Sequence, residues 1–227
     1  MARVSAPTLL ELARARLTRE HVDERTRWFG ARVIELLAVD LTVIGADRVP
    51  RGRAVVYMAN HQSHQDIPIC YASLPSPTVR MLAKTELFKI PLWGRGLGAA
   101  DFVEVDLSNH AKAVASIEEA KRLLRDGVSI WLAPEGTRSR DGRIGKLKKG
   151  GFHLAIETGT PIVPVAIDGT IGILPRGARV MKSGQPVTVT IGAPIAVTGR
   201  APSSELIDGL MAEVSEFLVA NVEGKVG

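Results

Sequence analysis

The chain has 227 residues, 45% of them hydrophobic and 23% charged, with 22 glycines and 13 prolines spread along it, a composition that excludes collagen, coiled coil and wholesale disorder. Its 29 Lys and Arg against 24 Asp and Glu leave a net charge of +5, which favours anionic partners such as phosphorylated substrates, nucleic acid or acidic lipid. A single cysteine, Cys70, excludes an internal disulfide and a cysteine-based zinc site, and points to a reducing compartment.

Met1 to Glu20 carries Arg3, Glu11, Arg14, Arg16 and Arg19 with no unbroken apolar stretch, so it reads neither as a signal peptide nor as a spanning helix. The chain is therefore expected in the cytoplasm. Thr8 with Glu11 reads as a capping box opening a helix, with Leu9, Leu12, Ala13 and Leu17 at helical spacing. A second helix is expected from about Asp23 to Val39, where Trp28, Phe29, Val33, Leu36 and Leu37 make a stripe suited to a core or to a membrane interface. The apolar run Val33 to Ile44 is broken by Glu35 and Asp40 and falls short of the roughly 20 residues that cross a bilayer.

From Arg53 onward short apolar runs alternate with helical patterns, the sign of βα units around a largely parallel sheet. Strands are expected at Ala54 to Ala59, Val79 to Ala83, Phe102 to Val105, Val128 to Ala133 and Ile162 to Ile167. Helices are expected near His64 to Ala72, Ser108 to Asp126 and Gly150 to Thr158, with Ala113, Ile117, Ala120 and Leu124 as the buried face of the middle one. Ala178 to Lys182 and Val187 to Ile191 flank Ser183-Gly184-Gln185-Pro186 and read as a hairpin-like pair. Ser203 or Ser204 then caps a last helix carrying Leu206, Leu210, Val214 and Phe217. The fold class is α/β, a parallel sheet flanked by helices and preceded by a helical pair.

Two polar clusters follow strands, where parallel α/β folds place their sites. In Asn60-His61-Gln62-Ser63-His64-Gln65-Asp66, a strand-to-helix turn lets Asp66 fold back on His61, fix its tautomer and leave the other ring nitrogen as a general base. His61-x-x-His64 with Asp66 could also ligate a metal, but no further ligand is evident, so no metal is expected. In Pro134-Glu135-Gly136-Thr137-Arg138-Ser139-Arg140, Gly136 admits close backbone approach, Thr137 adds a hydroxyl and Arg138 a fork suited to phosphate. Residues 138–149 hold six cations against one acid, Asp141, which reads as a solvated loop or an anion site. Gly94-Arg95-Gly96-Leu97-Gly98 follows no clear strand and lacks the rest of a dinucleotide fingerprint. There is no Gly-x-Ser-x-Gly elbow, although Ser63, Cys70 and Thr137 are nucleophiles by type. At 4% aromatic content and with no recognition motif, nucleic acid is not an expected partner.

In order and spacing, Asn60-His61-x4-Asp66, Glu135-Gly136-Thr137-Arg138-Ser139 and Pro161-Ile162-Val163-Pro164 resemble the signature blocks of the glycerolipid acyltransferases, above all the bacterial 1-acylglycerol-3-phosphate acyltransferases, over about Val43 to Pro194. Residues 1–42 are read as an N-terminal helical segment, packed on its own domain or docked at a membrane interface, and 43–227 as the acyltransferase catalytic domain. The resemblance implies His61 and Asp66 as the pair that deprotonates a lysophospholipid hydroxyl for attack on a thioester of coenzyme A or acyl carrier protein, without a cofactor. It places Glu135, Gly136, Thr137 and Arg138 at the acceptor phosphate with Lys84 nearby, and the enzyme on the inner face of the cell membrane. One block departs: Phe102-Val103-Glu104-Val105-Asp106 has Val105 where the family arginine falls, which leaves Arg138 and Lys84 for the phosphate or implies another head group, such as that of an ornithine lipid. Glycerol 3-phosphate as acceptor, a thioesterase and an idle acyl-carrier or membrane binder are the rival readings.

Overall fold

The computed structural model describes residues 2–106, 110–197, 199 and 203–222, without the side chains of 2–3 and 110–114. In chain order it comprises α1 (Ala2–Ala13), α2 (Arg19–Leu36), β1 (Asp40–Ile44), β2 (Val56–Ala59), α3 (Asp66–Ser73), β3 (Val79–Lys84), α4 (Thr85–Phe88) and α5 (Trp93–Ala99). There follow β4 (Val103–Val105), α6 (His110–Arg125), β5 (Ser129–Leu132), α7 (Gly150–Thr158), β6 (Ile162–Asp168), α8 (Thr170–Ile173), β7 (Pro186–Ile191) and α9 (Ser204–Asn221).

The strands form one sheet in the order β1-β7-β6-β2-β5-β3-β4, parallel at every junction except β6 against β7. β2 and β5 are buried along their whole length and β6 along all but its last residue, as near-continuous apolar runs require in a sheet covered on both faces. Alternate residues then enter opposite layers. Val56, Met58, Ile130 and Leu132 meet α6, α7 and α9, whereas Val55, Tyr57, Ala59 and Trp131 meet α3. Pro164 is tolerated in β6 because the neighbouring chain bulges there: Ile162 pairs with Ile195 but Val165 with Ile191, three residues on one side against four on the other.

Several expected elements take other forms. The first helix starts at Ala2, not at Thr8, whose hydroxyl donates to the Val4 carbonyl one turn back at 2.8 Å. The second begins four residues early, capped by the Thr18 hydroxyl, and stops at Leu36. Ala38 then adopts a positive φ of 47°, and the end of the run read as one apolar stretch becomes β1, an exposed edge strand. The boundary expected between residues 42 and 43 falls inside that strand. Ala178 to Lys182 is an exposed coil, and β7 pairs with β1 and β6 instead, where its alternate Val187, Val189 and Ile191 are buried. Gly94 to Gly98 lies in α5. Ser108 lies outside the described residues, as does the Ala113 side chain, while Ala120 and Leu124 are buried as expected.

The N-terminal helices are bound to the rest by a charge that cannot stand alone. Arg80 of β3, fully buried, donates to Asp23 of α2 at 2.5 Å, and the other Asp23 oxygen accepts from Thr78 at 2.6 Å. Breaking such a pair strands a buried charge, whereas replacing both partners by apolar groups does not. Asp23→Ala is expected to lose about 3–5 kcal/mol of stability, and Asp23→Leu with Arg80→Met to recover most of it. Urea unfolding of both variants checks this, and a loss under 1 kcal/mol for the single change would refute the anchoring role.

Candidate active site

Because β2, β5, β3, β4 and β6 run the same way, their carboxyl ends share one edge, and the loops there meet in the lateral order of the strands. The loop after β2 carries His61 and Asp66. Asp66 opens α3 and is fully buried, a position in which a carboxylate must find donors for both oxygens. It finds four. Its Oδ2 accepts from His61 Nδ1 at 2.6 Å, from the Gln62 amide at 2.8 Å and from the Ser63 amide at 2.9 Å, and its Oδ1 accepts from the Thr170 hydroxyl at 2.5 Å. The Nδ1 contact makes Nδ1 the protonated nitrogen and leaves Nε2 with its lone pair, and Nε2 has no hydrogen-bond partner among the described residues. The Trp131 ring stands edge-on to the imidazole, with centroids 6.0 Å apart, and holds its plane.

The second cluster grips the backbone of the first. Glu135, buried at the end of β5, accepts the His61 amide on Oε1 at 3.1 Å and the Gly145 amide on Oε2 at 2.8 Å, while the Ser139 amide donates to the His61 carbonyl at 2.7 Å. Both Glu135 oxygens therefore face backbone N–H groups, and the expected contact with substrate becomes a brace between loops. Burial pushes its carboxyl above the ordinary value, and the amides of Gly145 and His61 pull the other way. Asn60 acts similarly across β6, donating to the Ile167 carbonyl at 2.8 Å and accepting the Ile167 amide at 2.7 Å.

Gly136 turns the chain at φ 71°, a left-handed value that suits glycine, and a Cβ there would meet the Lys148 ammonium at 2.9 Å. Its amide donates to the Ala133 carbonyl at 3.0 Å, and so is not free for a substrate. Thr137 is exposed and Arg138 half-buried. Arg138 has no carboxylate partner among the described residues. Partial burial, with the Arg176 guanidinium nearby, lowers its pKa below the usual arginine value, and burial together with Arg138 lowers that of His64. Arg176 is held in place by donating to the Arg138 carbonyl at 3.1 Å. The Asp66 carboxylate acts on Arg138 in the opposite sense, and two guanidiniums brought together without a salt bridge to either among the described residues are a place for an anion.

Lys84 ends β3 and is exposed, two strands from β2, or about 10 Å across the sheet. Its register partner is Val105, which is half-buried and packs on the core layer under α6. Position 105 therefore lies beside Lys84 at the same sheet edge, and the valine there packs partly on the core layer. An apolar cavity of about 50 Å³, bounded by Val22, Phe29, Ile67, Tyr71, Leu97 and Phe102, lies behind α3. Among the described residues no three His, Cys, Asp or Glu side chains gather as a metal site.

Thr170 and Arg176 escaped the sequence reading. Thr170 follows β6 directly after Gly169, and a hydroxyl at the carboxyl end of a parallel strand is the signal that could have found it. Arg176 lies in a stretch from 169 to 204 without a single acid.

A family model described as acyltransferase matches residues 40–168, a span that holds His61, Asp66 and the Glu135 to Arg138 block. The chloroplastic 1-acyl-sn-glycerol-3-phosphate acyltransferase LPAT1 of Arabidopsis thaliana is 34% identical over 157 residues, 68% of this chain and 43% of that protein. The 1-acyl-sn-glycerol-3-phosphate acyltransferase of Haemophilus influenzae is 34% identical over 146 residues, 63% of this chain and 60% of that one. The chain thus spans about half the length of such relatives. The crystal structure of the 1-acyl-sn-glycerophosphate (LPA) acyltransferase PlsC from Thermotoga maritima superposes with a TM-score of 0.79 at 30% identity, covering 96% of this chain and 89% of that one. With the family model spanning more than half its length and the His61–Asp66 pair inside the match, the chain belongs to the acyltransferase family, as a PlsC-like glycerolipid acyltransferase.

Proposed function

We propose that the protein transfers an acyl chain from a thioester of coenzyme A or acyl carrier protein to the free hydroxyl of 1-acyl-sn-glycerol 3-phosphate, giving phosphatidic acid, at the inner face of the cell membrane. The observation that carries this is the His61 imidazole, held at Nδ1 by a buried carboxylate and open at Nε2, in a site to which Arg138 and Arg176, joined through the Arg138 carbonyl, bring two guanidiniums. Relatives with this name support the choice of acceptor.

In this reading Nε2 removes the acceptor hydroxyl proton as the oxygen attacks the thioester carbonyl. Asp66 stabilises the imidazolium, which returns the proton to the departing thiolate. The thioester is already activated, so neither a protein nucleophile nor a cofactor is required, and burial leaves Cys70 a thiol, its pKa raised well above the ordinary value. Arg138 and Arg176 hold the acceptor phosphate. With the Gly136 amide engaged, the Thr137 and Arg138 amides, which have no partner among the described residues, are left to receive the oxyanion. The cationic surround also disfavours the cationic head group of an ornithine lipid. No helix among the described residues is long and apolar enough to cross a membrane.

Thiol release from acyl-CoA with and without lysophosphatidic acid tests the reading directly. Acceptor-dependent release is expected, and it should vanish in His61→Ala; equal release without acceptor would mean a thioesterase. Asp66→Asn is expected to lower kcat by on the order of 10³- to 10⁴-fold through the wrong tautomer, and a fall under tenfold counts against the pair. Thr170→Val removes one charge-assisted bond to Asp66 and should lower kcat about 10- to 100-fold at unchanged acceptor KM, with Thr170→Ser restoring it. Arg176→Ala should instead raise the KM for lysophosphatidic acid about tenfold with kcat nearly constant. A kcat effect without a KM effect would remove Arg176 from the phosphate site.

A further inference from the structure

Beyond Arg143 the chain turns back on the loop after β5. The Gly145 amide reaches Glu135 Oε2 at 2.8 Å, Leu147 is buried in the layer under α6 and α7, and the Lys148 amide donates to the Pro134 carbonyl at 2.8 Å. Residue 148 is thereby fixed beside residues 134–136. Its side chain lies along the Gly136 turn, where a Cβ on Gly136 would stand 3.2 Å from Lys148 Cδ, 3.0 Å from Cε and 2.9 Å from Nζ. The bare Cα makes the room, and the apolar stem packs on it while the residue as a whole stays exposed.

The next lysine is used differently. Lys149 Nζ meets Asp208 of α9 at 2.7 Å, whereas Lys148 has no carboxylate partner among the described residues. An ammonium held over a strand-end turn without a counterion is ready for an anion, and little of its rotamer freedom remains to be lost when one binds. The turn is the catalytic one, since Glu135, the residue before Gly136, accepts the His61 amide.

Direct transfer brings two anionic substrates to one imidazole. The acceptor carries its phosphate on glycerol, and the donor carries one at the end of the pantetheine arm that coenzyme A and acyl carrier protein share. Two phosphates on one pair of cations would repel, so each needs its own cationic partner. Arg176 reaches Arg138 from beyond β6, whereas Lys148 comes to the end of β5 from just ahead of α7.

We infer that the Lys148 ammonium, packed on Gly136, binds the phosphate that closes the pantetheine arm of the acyl donor, while Arg138 and Arg176 take the phosphate of the acceptor. This names a donor contact for the transfer proposed above and rests on that reading. Lys148 is a binding residue and takes no part in moving the proton.

The experiment has a kinetic and a binding arm, both on the full chain. With acyl-CoA and lysophosphatidic acid, Lys148→Met, which keeps an apolar stem and removes the charge, should raise the donor KM about tenfold and leave the acceptor KM within about twofold of native. Lys148→Arg should hold the donor KM within about threefold of native, and Lys149→Met, whose lysine is engaged by Asp208, should behave as native. Repeating the comparison with acyl carrier protein as donor identifies the source of the phosphate, since the rise is expected with every donor that the chain turns over. In the binding arm, read by calorimetry, the native chain should take phosphopantetheine about tenfold more tightly than pantetheine, which lacks only the phosphate, and Lys148→Met should abolish the difference. An unchanged donor KM, a rise in the acceptor KM instead, a fall in kcat with both KM values native, an equal loss in Lys149→Met, or equal affinity of the native chain for the two probes would each overturn the inference. So would a rise confined to acyl-CoA when both donors are turned over, which would move Lys148 to the nucleotide. Because the binding arm needs no turnover, failure of the acyltransferase reading shows separately, as a chain that prefers phosphopantetheine but releases no thiol in response to lysophosphatidic acid.

Discussion

The site is organised around the cost of burying one carboxylate. Asp66 is out of contact with water, and an ionised carboxylate in such a place is tolerated only when hydrogen bonds satisfy both oxygens. The donors come from two separate parts of the chain: the turn after β2 supplies His61 and two amides, and the start of α8 supplies Thr170 from more than a hundred residues away. The imidazole is thereby fixed in one tautomer by the same contacts that stabilise the turn. Catalytic orientation and local stability are one interaction here.

A second set of bonds holds the backbone that presents the ring. His61 donates its amide to Glu135 and accepts the Ser139 amide on its carbonyl, so the residue is clamped from both sides by the loop after β5. Glu135 also takes the Gly145 amide, which draws the far end of the cationic segment 138–149 back to the site. A side chain that reads as a ligand for substrate is thus a connection between two loops. Arg138, three residues on in the same turn, is joined there by Arg176 from beyond β6.

Strand order converts these connections into a row. Across the sheet edge the lateral order β6, β2, β5, β3 sets Thr170, His61, Arg138 and Lys84 side by side, although in sequence they run 61, 84, 138, 170. The N-terminal helices complete the molecule on another principle, since α2 is fastened through the buried Asp23–Arg80 pair and α3 packs on the sheet beneath it.

Much of this was legible locally. The apolar runs of β2, β5 and β6 identify themselves because a strand buried on both faces needs no polar alternation, and the helix expected near Gly150 to Thr158 has those bounds. His61 and Asp66 were legible because five residues across a strand-to-helix turn suffice for the contact, and Arg138 because a cation after a strand-end glycine is a local pattern. β1 was missed because an exposed edge strand carries little periodic signal, and the pairing of β7 was misjudged because a flanking glycine turn suggests a hairpin while the sheet offers better-buried neighbours. Glu135 as a brace, Val105 beside Lys84, Thr170 on Asp66 and Arg176 beside Arg138 are contacts between segments far apart in sequence. The sequence by itself determined the fold class, the His61–Asp66 contact and the cationic character of its surroundings, since each rests on neighbours along the chain. Only the tertiary structure decided which polar side chains face a ligand and which face the protein, because that depends on which loops the strand order brings together.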